Sequence, residues 1–256
     1  MNYTFRKAVR ANTTLLVGIA GYTGTGKTRS MLELAQGLRG DGKMLMLDTE
    51  AGRGTYFADR FDYDYSEVKP PFSPHTYREA IAAADDAGYR VILVDSMSHE
   101  WSGDGGCCDI QAETLERMSG GDVQKMQRLT APAWKDAKVA HKRMMSRLLQ
   151  CRAHLIFGLR AEPKIKFAKV KGDDGRERTV IEDAGYQPIC EKSFMFEMTV
   201  SFMLNAQHLP VPIKLPDEFK PFFPLDRPIT EESGRRLADW ARGGATSVAG
   251  DTQIVK

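Results

Sequence analysis

Apolar residues along this chain fall into two alternating rhythms. Unbroken apolar runs at 15–20 (LLVGIA), 44–47 (MLML), 91–94 (VILV) and 155–159 (LIFGL) have no polar face, which predicts strands buried on both sides. Between them, apolar positions three and four apart predict helices. Met31, Leu32, Leu34, Ala35 and Leu38 make the first, and Pro74 to Ala87 makes a second that Gly88 stops. A short helix is expected over 109–118, and a longer one from Pro132 to Cys151 with Trp134, Ala137, Met144, Leu148 and Cys151 on one face. The last spans 230–242 and carries Leu237 and Trp240.

Other stretches follow neither rhythm. Residues 61–72 alternate aromatic and polar and end in a proline pair, which predicts a short edge strand and a turn. Residues 161–182 alternate around Gly172-Asp173-Asp174-Gly175, the pattern of a charged β-hairpin. Residues 195–204 and 211–215 read as later strands, and 96–106 (SMSHEWSGDGG) as a glycine-rich loop. Strand and helix in repeated alternation predict an α/β fold of three layers: a mostly parallel central sheet, helices on both faces, and antiparallel strands and a hairpin toward the C-terminus. Residues 1–242 make one domain, and 243–256, poor in large apolar groups, are expected to be a flexible tail.

Composition adds boundaries to this picture. With 256 residues and 42% hydrophobic content the chain can bury a large core. The apolar run after Arg6, Lys7 and Arg10 is too short for a signal peptide, so a cytoplasmic protein is expected. Cys107, Cys108, Cys151 and Cys190 show no C-x-x-C spacing and are read as reduced and structural.

Between the first strand and first helix stands Gly21-Tyr22-Thr23-Gly24-Thr25-Gly26-Lys27-Thr28, a full match to G-x-x-x-x-G-K-[ST] in the strand-loop-helix context it requires. Glycines let the backbone curl around phosphate oxygens, with N–H groups and a helix N-terminus facing the negative charge. Lys27 is expected to reach the β- and γ-phosphates of ATP, and Thr28 to ligate Mg²⁺. The second strand ends in Asp48-Thr49-Glu50 and the third in Asp95, 68 residues after Lys27. Ligands of open α/β sheets gather at the carboxyl ends of strands, so Glu50 and Lys27 should share a mouth. Asp95 is the expected holder of the Mg²⁺ hydration shell beside Thr28.

Three motifs in this order, GYTGTGKT, LMLDTEAGRG and VILVDSMS, resemble the core of the RecA-type recombinase and ATPase family over residues 15–160. DSMSHEWSGDGG, APAWKDAKVAHKRMM and HLIFGLRAEPK extend the likeness to small phage-encoded RecA-like ATPases of the AAA class, some tied to single-strand annealing and recombination. The resemblance implies a RecA-like P-loop NTPase fold, ATP hydrolysis with Mg²⁺, and Glu50 as the general base that orients or deprotonates water. The alternative is that Glu50 is a solvated loop carboxylate, with Glu100 the next candidate base. It further implies a homo-oligomer working with phage recombination or replication proteins in the host cytoplasm, a neighbour supplying cations to the γ-phosphate. Lys164 and Lys166, on one face of a strand, are candidates for that role or for facing DNA; Arg160 is the runner-up. The family carries a polar sensor where this chain has Gly158, so coupling between the γ-phosphate state and DNA either runs through Arg160 or is weak.

Charge is segregated. Net charge is only +2, yet 13 Lys and Arg stand between 125 and 171 against Asp136 and Glu162, a local net of +11. Two readings remain: a solvated helix face with a charged hairpin, or a surface that binds DNA, single-stranded above all, through its phosphates. Under the second, Lys135, Lys138 and Lys142 are the expected contacts, with His99 and Trp101 as a DNA- or nucleotide-responsive loop; a His99–Trp101 packing pair is the bland version. Trp134 reads as core. A small-molecule P-loop kinase and a non-hydrolysing ATP-dependent loader or scaffold are the competing functions.

Overall fold

The buried strands lie side by side because no face of them could meet water. A computed structural model describes residues 4–5, 10, 12–171, 177–243 and 253–254. In chain order the strands are β1 (Thr4–Phe5), β2 (Leu16–Gly21), β3 (Met44–Asp48), β4 (Asp64–Glu67), β5 (Val91–Asp95), β6 (His154–Lys171), β7 (Glu177–Pro188), β8 (Val200–Leu204), β9 (Pro210–Lys214) and β10 (Gln253–Ile254). The helices are α1 (Lys27–Leu38), α2 (Pro74–Asp86), α3 (Ser98–Ser102), α4 (Cys107–Ser119), α5 (Val123–Leu148), α6 (Phe194–Glu197) and α7 (Glu231–Arg242). The main sheet runs β4-β3-β5-β6-β2-β8-β9, parallel up to β8, with β9 antiparallel at the edge and β7 folding back antiparallel on β6. β1 pairs with β10.

Alternate residues of each strand feed opposite cores. Val17, Ile19, Val91 and Leu93 pack with Met31, Leu34 and Leu38 of α1 and Leu237 of α7. Leu16, Ala20, Ile92 and Val94 pack with Tyr77 and Ile81 of α2 and Met144 and Leu148 of α5. Helices on both faces thus bury the sheet, the three layers that unbroken apolar runs demand.

Several elements differ from the sequence reading. The helix expected at Pro132 begins nine residues earlier: Asp122 caps it, accepting from the amides of Gln124 (2.9 Å) and Lys125 (3.1 Å), and Pro132 is carried inside on an exposed face. The glycine-rich stretch 96–106 contains α3, and 195–204 divides into α6 and β8 because Met195 and Met198 turn inward under Gly18. The hairpin is present, but its Gly172–Gly175 turn lies outside the described residues. So does the expected tail, apart from Gly243, Gln253 and Ile254. Among the described residues no helix is long and apolar enough to cross a membrane.

Candidate nucleotide site

The phosphate loop joins the end of β2 to the start of α1. Gly24 and Gly26 take φ of 88° and 83°, the left-handed region that a side chain resists, and α1 begins on Gly26 with no side-chain cap. Its first amides are therefore left open to an anion. Tyr22 carbonyl anchors the loop, accepting from Thr25 amide (3.3 Å), Thr25 hydroxyl (2.9 Å) and Lys27 Nζ (3.1 Å). Burial lowers the Lys27 pKa, against which the carboxylates of Asp95 and Glu50 pull upward and Arg160 adds to the fall.

β6 lies between β2 and β5, so Asp95 reaches the loop from across a strand. Gly158 of β6 leaves that passage open: a Cβ there would stand 2.9 Å from Asp95 Oδ1 and 2.7 Å from Met31 Sδ, so both side-chain ends would have to shift. Thr28 hydroxyl donates to Asp95 Oδ2 at 2.6 Å, a hydroxyl and a buried carboxylate converging at the helix start as a Mg²⁺ site needs. Burial raises the Asp95 pKa, with the Thr28 hydrogen bond opposing, Glu50 adding to the rise and Lys27 opposing. A cation bound there would relieve the uncompensated charge.

Asp48 ends β3 fully buried and organises the loop behind it. It accepts from the amides of Glu50 (2.5 Å), Gly52 (2.9 Å) and Gly54 (3.1 Å) and from the Tyr65 hydroxyl (3.0 Å). Glu50 is thereby fixed at the sheet edge where Lys27 also stands. Arg160, where β6 leaves the main sheet for the hairpin, grips it in two parallel bonds, Nε to Oε1 at 2.7 Å and Nη2 to Oε2 at 2.6 Å. Burial pushes the Glu50 carboxyl up, but the bonds and charge of Arg160, helped by His99 and Arg53, outweigh it and hold the group below the usual carboxylate range. The solvated-loop alternative therefore does not describe this residue. Glu100 points elsewhere, its Oε1 3.0 Å from His141 Nδ1 and 3.2 Å from Cys107 Sγ.

His99 and Trp101 sit on α3, and they do not pair. His99 stacks on Phe72 at 5.0 Å with its Nδ1 2.7 Å from Thr49 Oγ1, while Trp101 stacks on Trp134 at 5.2 Å. Trp134 is half-buried in that stack rather than deep in the core.

The basic band divides in the same way. Arg147 and Arg152 bind the buried Asp85 (3.3 and 3.5 Å), and Arg160 binds Glu50, so three of the 13 cations are structural or belong to the site. Lys135, Lys138 and Lys142 are exposed along α5 and have no ion-pair partner among the described residues. Lys164 and Lys166 are exposed on the hairpin near its bulge, where β7 takes the extra residue opposite Lys164. Tyr186 of that hairpin stacks on Tyr22 of the phosphate loop at 4.7 Å.

One feature had no signal in the sequence. A cavity of about 410 Å³ opens beside Gly26, lined by Arg29, Glu33, Phe57, His208 and Ile229 among others. His208 is placed there by a tight turn in which Asn205 Oδ1 accepts from the Gln207 and Leu209 amides. A side chain at Gly26 would meet its ring at 3.2 Å.

Comparison with known proteins bears on residues 13–192, which match a family model described as an AAA domain. Among solved structures, the X-ray structure of the Legionella pneumophila ATPase DotB matches with 15% identity and a TM-score of 0.28, covering 91% of this chain and 54% of that one. The chain thus spans about half the length of that structure. No curated protein matches it.

Proposed function

The chain belongs to the AAA-domain family of P-loop ATPases, and from that premise we propose that it hydrolyses ATP with Mg²⁺ while acting on single-stranded DNA, as a homo-oligomer in phage recombination or replication. Bound Mg²⁺ supplies positive charge to the phosphate oxygens. Thr28 and Asp95 are the side chains that would hold it. The open amides at the start of α1 and Lys27, once it leaves the Tyr22 carbonyl, take the phosphates. The cavity beside Gly26 receives the base, where Phe57 and the His208 ring offer stacking faces. Arg160 would transfer from Glu50 to the γ-phosphate, leaving Glu50 free to orient and deprotonate water.

The DNA half of this reading rests on Lys135, Lys138 and Lys142, three unpaired ammonium groups at i, i+3 and i+7 on one exposed helix face. Single-stranded DNA should stimulate ATP turnover and bind with little sequence preference. Log K should fall with log salt by about 0.7 for each phosphate neutralised. Lys138→Glu/Lys142→Glu should flatten that slope. DNA affinity that is absent at low salt, or indifferent to the charge reversal, would favour the kinase or scaffold instead.

Assembly is tested by mixing. A Lys164→Ala/Lys166→Ala protein and a Glu50→Gln protein should each be nearly inactive alone. If the lysines serve a neighbour's site, co-assembled subunits create interfaces where an intact Glu50 meets an intact lysine pair, and part of the ATPase activity returns. No recovery from subunits shown by size-exclusion chromatography to co-assemble leaves the pair facing DNA.

A further inference from the structure

Beneath the segment that follows Asp95, three helices bring together side chains that no spacing in the sequence connects. Glu100 of α3, Cys107 of α4 and His141 of α5 are 1%, 0% and 7% exposed. One ligand atom from each lies within 4.8 Å of the others, the thiol and the imidazole Nδ1 both turned toward the same carboxylate oxygen, Oε1. We propose that this cluster is a site for a zinc-type divalent cation, held by a thiolate, an imidazole and a carboxylate, that fastens α3 to α4 and α5.

The donor set carries the choice of metal. Sulfur, nitrogen and oxygen together are the ligands of a borderline-soft ion, whereas Mg²⁺ takes oxygen and keeps its waters. Two of the three ligand separations ask for little movement. Ligand atoms around a tetrahedral ion with bonds of about 2.0–2.3 Å stand roughly 3.3–3.8 Å apart, so the 3.0 and 3.2 Å separations need to open by only a few tenths of an ångström. Charge balances in the occupied site: two positive charges meet a thiolate and a carboxylate, the thiol proton and the proton that Glu100 helps the imidazole to hold having left to solvent.

Such a clamp would act on the nucleotide site from behind. α3 begins three residues after Asp95 and carries Ser98, whose Oγ accepts from the Arg160 amide at 2.9 Å, and His99, which meets Thr49. Fastening Glu100 holds both in place.

The test uses full-length protein stripped with chelator and titrated with Co²⁺, whose bond to a thiolate gives a charge-transfer absorption. The band should saturate at one equivalent, vanish in Cys107→Ser, and persist in Cys108→Ser/Cys151→Ser/Cys190→Ser. Zn²⁺ should displace it and Mg²⁺ should not. Losing a direct ligand costs more than the ~10–100-fold of an outer partner, so His141→Ala should weaken Co²⁺ binding by at least that much. A folded wild-type protein with no band, or a band that survives Cys107→Ser, overturns the proposal and leaves a buried Glu–His pair with a thiol donor. If Cys107→Ser does not fold by circular dichroism, His141→Ala and Glu100→Gln decide: unchanged Co²⁺ affinity in both overturns it equally.

Discussion

A Lys27→Ala protein is expected to stay folded and to lose measurable Mg-ATP binding by calorimetry. Among the described residues the ammonium group bonds to the Tyr22 carbonyl alone, which keeps its bonds from the Thr25 amide and hydroxyl when the amine is gone. The loop's shape therefore does not depend on the side chain. Binding does. Without the ammonium, the phosphates lose the cation of the loop itself in a half-buried site, and truncating one partner of such a charge pair costs about 2–5 kcal/mol. That is roughly thirtyfold to a few thousandfold in affinity. Unchanged affinity in a folded Lys27→Ala protein would remove Lys27 from the site.

What could be read in the sequence was what a strand end or a local motif announces. Asp95 follows directly on a buried apolar run, Glu50 stands three residues past another, and Lys27 and Thr28 close the glycine motif behind a third; parallel strands bring their carboxyl ends to one edge whatever their order. The order itself, with β6 between β2 and β5, left no trace in any single segment. The same is true of contacts between distant residues: Arg160 was visible as a cation after LIFGL, but its partner Glu50 lies 110 residues away. Local chemistry also misled. Glycines at 103, 105 and 106 hid α3, and Pro132 looked like a helix start because a proline tolerated on an exposed helix face resembles one at the first turn. His208 could not have been singled out, since its place over Gly26 depends on the Asn205 turn and on β8 lying beside β2.

Glu50→Gln should leave ATP binding intact while turnover falls about 10²-fold or more, because the amide keeps the shape and the hydrogen-bonding reach but cannot accept the water's proton. Near-normal hydrolysis in that variant would end the assignment of Glu50 as base. Arg160→Ala probes the other half of the pair through pH. In the free protein burial drives the Glu50 carboxyl up, and Arg160 is first among the groups that bring it down. Removing the guanidinium takes away the largest group opposing burial, so the Glu50 pKa rises. The base works only when ionised, and the acid limb of kcat/KM reports the pKa of the free enzyme. That limb should therefore move to higher pH in Arg160→Ala, whereas Glu50→Gln should abolish it along with most of the rate. A limb that stays in place when Arg160 is removed would mean that the group titrating there is not Glu50, and the role of base would have to be sought in another residue at the mouth of the site.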